Sequence, residues 1–362
     1  MCQKAHGEWG MFKQRQKVGR GLMNAFGKAL WRIPGNFKIV KMLGPKYALR
    51  CALFHDVADK PSPFTAGLNV SMSRDEFEGR VRFLSRYYSP IDVGTFLAAR
   101  NGGELPPRPV LVTFDDAYAS VFEVAAPICA RYRVPVCFFV NAQFVGNRDL
   151  SLDNLVCYLA NTAGLGPINA IVREFNGGQQ PGTLSRPWIM REFVPSLSLE
   201  RRNAFKARLA ASIGTSTEDL ARSASLYVRD DQIAELQSSD FEIGNHTYSH
   251  VHCRILSSSD FATEIDASRD ILERIWRRRV RVFSVPYGSI TDFTPGLVAH
   301  LRKSAYEAAF LVESRANTAA TDFFGLNRVS ICSESDAATF SEIELLPRLR
   351  SVGDLIFGAR EL

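Results

Sequence analysis

The chain is poor in the features that would bury it in a membrane or cross-link it. Across 362 residues no run of 18 or more apolar residues occurs, so no transmembrane helix is expected. The opening MCQKAHGEWG lacks the apolar core of a secretory signal, which predicts a cytoplasmic working compartment. Cysteine is sparse: seven residues, an odd number, widely scattered and without a CxxC pair. That argues against a disulfide framework and against a thiolate zinc site; Cys51 and Cys137 lie in apolar runs and read as small buried hydrophobes. Histidine is scarcer still, with six residues.

The net charge of +6 is unevenly placed. Residues 1 to 50 carry eleven Lys or Arg and one acid, a balance of +10, and the rest of the chain carries −4. The basic character therefore belongs to an N-terminal arm (1–46), and the body does not have the composition of a nucleic-acid binder. In the arm, Val18, Leu22, Phe26 and Leu30 recur every four residues among basic ones, and Pro34 ends the pattern. This predicts a basic amphipathic helix, either peripheral to an anionic inner-membrane face or packed on the outside of the body. RRRVR (277–281) follows a helical pattern and reads as a solvated helix end, where cations suit the dipole.

From residue 47 onward apolar strands alternate with amphipathic helices. Strand candidates are 47–54, 109–114, 134–140, 241–245, 280–285, 306–312 and 324–331, with helical patterns at 73–88, 118–132, 230–237, about 257–277 and after Pro295. About seven parallel β/α units predict an α/β fold, a distorted (β/α) barrel spanning 47–362. A Gly/Pro-rich and then charge-rich stretch at about 147–228 breaks the alternation and predicts a helical insertion near the barrel mouth.

The chemistry-bearing residues fall at strand ends. His55 follows the first strand, Asp115 and Asp116 follow PVLVTF, His246 follows FEIGN with His250 four residues on, and Pro286-Tyr287-Gly288 follows VRVFSV. In a parallel barrel these C-terminal ends converge on one face. Two imidazoles four residues apart with one carboxylate make a donor set that leaves a coordination position open. The paired aspartates would repel each other, a conflict that a divalent cation removes; an Asx turn before the next helix would account for one of them.

These residues resemble the polysaccharide deacetylase family, carbohydrate esterase family 4 of the NodB-homology type, which includes chitin, peptidoglycan and poly-N-acetylglucosamine deacetylases. The resemblance rests on Thr113-Phe114-Asp115-Asp116, on His246-Thr247-Tyr248-Ser249-His250 and on FSVPYG at 283–288, in that order, over roughly residues 47–331 without the insertion. It implies a catalytic base at Asp115 and a metal, usually zinc, on Asp116, His246 and His250. It also implies an oxyanion donor at the Tyr287 N–H and an N-acetylated glycan substrate. Two departures stand out. Ser284 occupies the place of the family's third-motif arginine, and FGLNRVSI has no late histidine. The branch similar to poly-N-acetylglucosamine deacetylases, permuted in sequence, suggests His55 as the acid in place of that histidine, against a structural role. Arg328 is read either as orienting the catalytic groups or as a surface or barrel-stabilising arginine. His252 reads either as lining the rim or, preferably, as a loop histidine without chemistry, and His300 as a surface residue in mid-helix. Two alternatives keep the scaffold: a deformylase or deacetylase of lipid-linked sugars, and a non-catalytic carbohydrate-binding protein.

Overall fold

The computed structural model describes residues 29–33, 35, 49–60, 62–177, 185–238, 240–304, 306–332, 335–348 and 350. Val18, Leu22 and Phe26 of the expected basic helix lie outside the described residues. Leu30 lies within them and is buried, and the neighbouring Trp31 ring packs against Phe83, Tyr87 and Phe340. No described helix is long and apolar enough to cross a membrane.

The strands are β1 (Arg50–Phe54), β2 (Asp56–Val57), β3 (Ser71–Met72), β4 (Ser89–Pro90), β5 (Pro109–Phe114), β6 (Val136–Val140), β7 (Phe241–Asn245), β8 (Val282–Ser284), β9 (Ala308–Leu311), β10 (Phe324–Asn327) and β11 (Val329–Ser330). The main sheet runs β10-β9-β8-β7-β6-β5-β1-β11, and its strand pairs are parallel. Its two end strands are consecutive in the chain, with Arg328 alone between them. One segment, FGLN-Arg328-VS, thus pairs with β9 through its first half and with β1 through its second. The sheet closes on itself as a seven-station ring, a distorted (β/α) barrel.

Burial on both faces explains the unbroken apolar runs. Every residue of β5 and β6 is buried, as expected for parallel strands covered by helices outside and by each other within. The helix Arg74–Tyr87 starts at a Ser73/Glu76 capping box and buries Phe77, Val81 and Leu84 against the ring. Inside the barrel, Cys51, Leu111, Cys137, Phe139, Val282, Phe310 and Leu326 form a second, smaller core. The period of two along each strand carries this inward set forward to His55, Asp115, His246, Ser284 and Arg328 at the C-terminal mouth. Gly244 belongs to the same inward set. A Cβ there would sit 2.4 Å from the Phe139 ring, so the interior tolerates only glycine opposite that phenylalanine.

Between β6 and β7 the chain forms the helices Leu152–Thr162, Leu165–Phe175, Leu199–Ala210 and Thr217–Ala224, within the stretch expected to be an insertion. Asn154, almost fully buried, docks the first of these helices by donating to the Tyr118 hydroxyl at 2.9 Å and the Phe64 carbonyl at 3.0 Å. The rings of Tyr118 and Tyr227 stack beside it.

Candidate metal centre

The turn after β5 creates the site. The chain leaves Phe114 through Asp115, whose N–H donates to the Phe54 carbonyl of β1, and then takes the left-handed conformation at both Asp116 (φ 72°) and Ala117 (φ 58°). Thr247, His250 and Tyr287 are left-handed as well. Non-glycine residues in this region cost about 1–3 kcal/mol each, and such strain concentrates where side chains must be aimed.

What these turns aim is a donor set. The Nε2 atoms of His246 and His250 lie 3.6 and 3.3 Å from Asp116 Oδ1, and one ligand atom from each of the three residues falls within a 4.8 Å span. Each imidazole is fixed through its other nitrogen. His246 Nδ1 donates to the Ser284 carbonyl at 2.8 Å, and His250 Nδ1 donates to Asp153 Oδ2 at 3.0 Å. Both rings therefore turn an Nε2 lone pair toward the same point, as metal-binding histidines do. Burial pushes the His246 pKa down to about 4 against the pull of Asp115, which keeps the ring neutral. Burial also disfavours protonation of His250, but Asp116 and Asp153 outweigh it and raise its pKa, so a cation and a proton compete for this ring.

Asp115 occupies a different environment from its neighbour. It is buried, and Arg328 grips it with two N–H···O bonds of 2.7 Å, one to each carboxylate oxygen. Burial alone would raise its pKa. The Arg328 charge, then His246, the hydrogen bonds from Arg328 and finally His55 outweigh burial and hold the carboxyl well below the usual range. Asp115 Oδ2 is 3.6 Å from His246 Nε2, so an ionised acceptor lies beside the point where the ligand atoms converge. Arg328 is fully buried. It also donates to Ser284 Oγ at 2.6 Å and lies over the Phe139 ring, so it is not a surface arginine, while an orienting and a barrel-stabilising role both fit this position.

His55, half-buried, follows Phe54, which pairs with Phe114 in register, and its ring acts electrostatically on Asp115. Asp56 ties down the same turn by accepting from Ser71 and Ser120 hydroxyls at 2.6 Å each. Tyr287 follows Pro286 with φ 61°, and its N–H donates to no group among the described residues. The structure thus brings Asp115, Asp116, His246, His250, Tyr287, Arg328 and His55 to one end of the barrel. His300 stands apart, paired with Asp266 on the outer helices.

Several contributors were not apparent from sequence. Asn141, at the end of β6, donates to the His246 carbonyl. Glu264 accepts from the N–H and hydroxyl of Ser249, and the buried Arg202 donates to the Ser249 and His250 carbonyls at 3.0 Å. His252 lies in a loop, as expected, but is buried there: its Nδ1 pairs with Asp292 at 3.0 Å and its ring stacks on Tyr287 at 3.7 Å. Asp153, on the insertion, had no sequence signal at all, since its partner His250 is 97 positions away.

A parallel barrel that presents two imidazoles and a carboxylate to one point, beside an arginine-held second carboxylate, defines a (β/α)-barrel protein with a candidate metal centre. The sequence model described as polysaccharide deacetylase matches residues 102–308, more than half of the chain, and the chain belongs to that family. The poly-β-1,6-N-acetyl-D-glucosamine N-deacetylase of Staphylococcus aureus is 29% identical over 82 residues, which cover 22% of this chain and 28% of that relative. The alignment thus spans less than a third of the curated relative's length. Among solved structures, the Streptococcus pyogenes deacetylase PplD in complex with acetate superposes with a TM-score of 0.56 at 15% identity, over 83% of this chain and 99% of that one. IcaB from Ammonifex degensii superposes with a TM-score of 0.52 at 20% identity, over 82% and 98%. At these identities the structural likeness is one of fold.

Proposed function

We propose that the chain is a metal-dependent hydrolase that removes N-acetyl groups from the amino sugars of a polysaccharide. The observation that carries this reading is the convergence of Asp116 Oδ1 and the two Nε2 atoms beside an ionised, arginine-held Asp115. The donor set suits a divalent ion, zinc foremost. When bound, such an ion supplies Lewis acidity, making water more acidic and polarising a carbonyl oxygen.

The residues divide the remaining work. Asp115, kept ionised by Arg328, takes a proton from the attacking water as its oxygen bonds to the acetyl carbon. The Tyr287 N–H donates to the oxygen on which negative charge develops. Protonated His55 gives its proton to the amine nitrogen as the C–N bond breaks, so acetic acid, which ionises to acetate in water, and a free amino sugar leave. The proton taken by Asp115 balances the one given by His55, and proton exchange resets both groups.

The name of the Staphylococcus aureus relative makes β-1,6-linked poly-N-acetylglucosamine the first substrate to test. Purified chain with zinc should release acetate from such oligomers, and should stop on chelation and in Asp115→Asn. Glycan binding with no acetate release under any divalent ion would favour the non-catalytic alternative. Release from lipid-linked amino sugars alone would favour the other.

A further inference from the structure

The helical insertion carries a carboxylate into the site. Asp153 is the second residue of the helix Leu152–Thr162, behind the Ser151 cap. Its Oδ2 accepts from two groups at once, His250 Nδ1 at 3.0 Å and the Tyr287 hydroxyl at 2.9 Å. A carboxylate has no proton to offer, so the hydrogen between it and His250 sits on Nδ1, and the lone pair of that ring is left on Nε2, toward Asp116. The same oxygen tethers the ring of Tyr287, whose backbone N–H donates to no group among the described residues. The other face of that ring lies flat on His252, 3.7 Å away and tilted by 9°, with His252 itself held by Asp292.

The helix bearing Asp153 is itself fixed. Asn154 reaches Tyr118, two residues after the aspartate pair, and Ser151 N–H donates to the Tyr227 hydroxyl at 3.0 Å. Arg202, from another helix of the insertion, holds the carbonyls of Ser249 and His250. The insertion thus reaches both the backbone and a side chain of the His246–His250 loop, and among the described residues it addresses an imidazole of that loop through Asp153.

We infer that Asp153 is a positioning residue through which the insertion sets both a metal ligand and the oxyanion donor, holding His250 in its Nδ1–H tautomer and Tyr287 in its left-handed turn. This rests on the metal-centre reading above. It assigns the insertion a part in assembling the site, beyond decorating the barrel mouth.

Co²⁺ binding to the full chain tests it, followed by visible absorption and by competition with a chelator, beside thermal unfolding of the metal-free protein. Asp153→Ala is expected to weaken Co²⁺ binding about 10–100-fold. Asp153→Asn, which keeps an acceptor oxygen in the same place, should lose less. Equal Co²⁺ affinity in wild type and both variants overturns the inference while leaving the metal centre standing. A wild-type chain that takes up no Co²⁺ overturns the metal-centre reading and this inference with it. Should the variants not fold, long-range ¹H–¹⁵N spectra of metal-free wild type, at a pH where the ring is neutral, decide the matter. A proton on Nδ1 of His250 supports the assignment and a proton on Nε2 overturns it.

Discussion

Arg328 and Asp115, 213 positions apart in the chain, meet through two parallel 2.7 Å hydrogen bonds inside the barrel. Arg328 is also the residue at which the last strand passes from β9 to β1. The strand that closes the ring therefore also carries the side chain that keeps the proposed base ionised.

Removing that side chain should be expensive. Arg328→Ala leaves a buried carboxylate without its counter-charge, a change that costs about 3–5 kcal/mol and should appear as a lower denaturant midpoint. Arg328→Lys keeps the charge but cannot form the two-pronged contact. It should recover part of the stability and little of the acetate release.

The sign of the pH dependence follows from the depressed Asp115 pKa. Unfolded, the carboxyl titrates near its ordinary 3.8; folded, it stays ionised below that. Its contribution to stability is fully present above the unfolded value and is lost as pH falls toward the folded one. The difference in unfolding free energy between wild type and Asp115→Asn should be flat from neutral pH to about pH 5 and shrink below about pH 4. The same substitution should lower kcat about 10²- to 10⁴-fold.

His55 lies outside the Asp116, His246 and His250 donor set and acts electrostatically on Asp115. His55→Gln should lower kcat by about 10²-fold or more and leave divalent-ion affinity unchanged. Loss of ion binding in this variant would move His55 from proton donor to ligand.

Gly288, directly after Tyr287, has φ 66°, and a Cβ there would stand 2.3 Å from Val312 Cγ2 and 2.6 Å from the Val312 nitrogen. Its own carbonyl accepts from that nitrogen. Gly288→Ala should destabilise the chain by about 1–3 kcal/mol. It should also shift the Tyr287 N–H, lowering kcat more than it raises KM. Thermal unfolding and steady-state acetate release together check both parts.

The barrel and the donor set were largely legible in the sequence, because each depends on local pattern. The apolar runs give the buried parallel strands. A turn after each strand carries its chemistry at the strand's own end, so Asp115-Asp116 and His246–His250 announce themselves. Contacts between distant segments leave no such trace. FGLNRVSI reads as one strand, but its division between β9 and β1, and the inward turn of Arg328, come from ring closure. Arg328 and His55 both fall outside the stretch matched by the family model, 102–308. His252 is the loop residue it looked like, but its burial had no sequence trace because its partner Asp292 is 40 positions away. Asp153 is one acid among several on a charge-rich insertion until the fold brings it to His250.

The most direct test is the divalent-ion content of purified chain after chelation and reloading with zinc, for wild type and for Asp116→Ala, His246→Ala and His250→Ala. The expected result is a single tightly held ion per wild-type chain and its loss from each variant while the fold is kept. A wild-type chain that holds no ion, or variants that hold it as tightly as wild type, would contradict a metal centre built from these three residues.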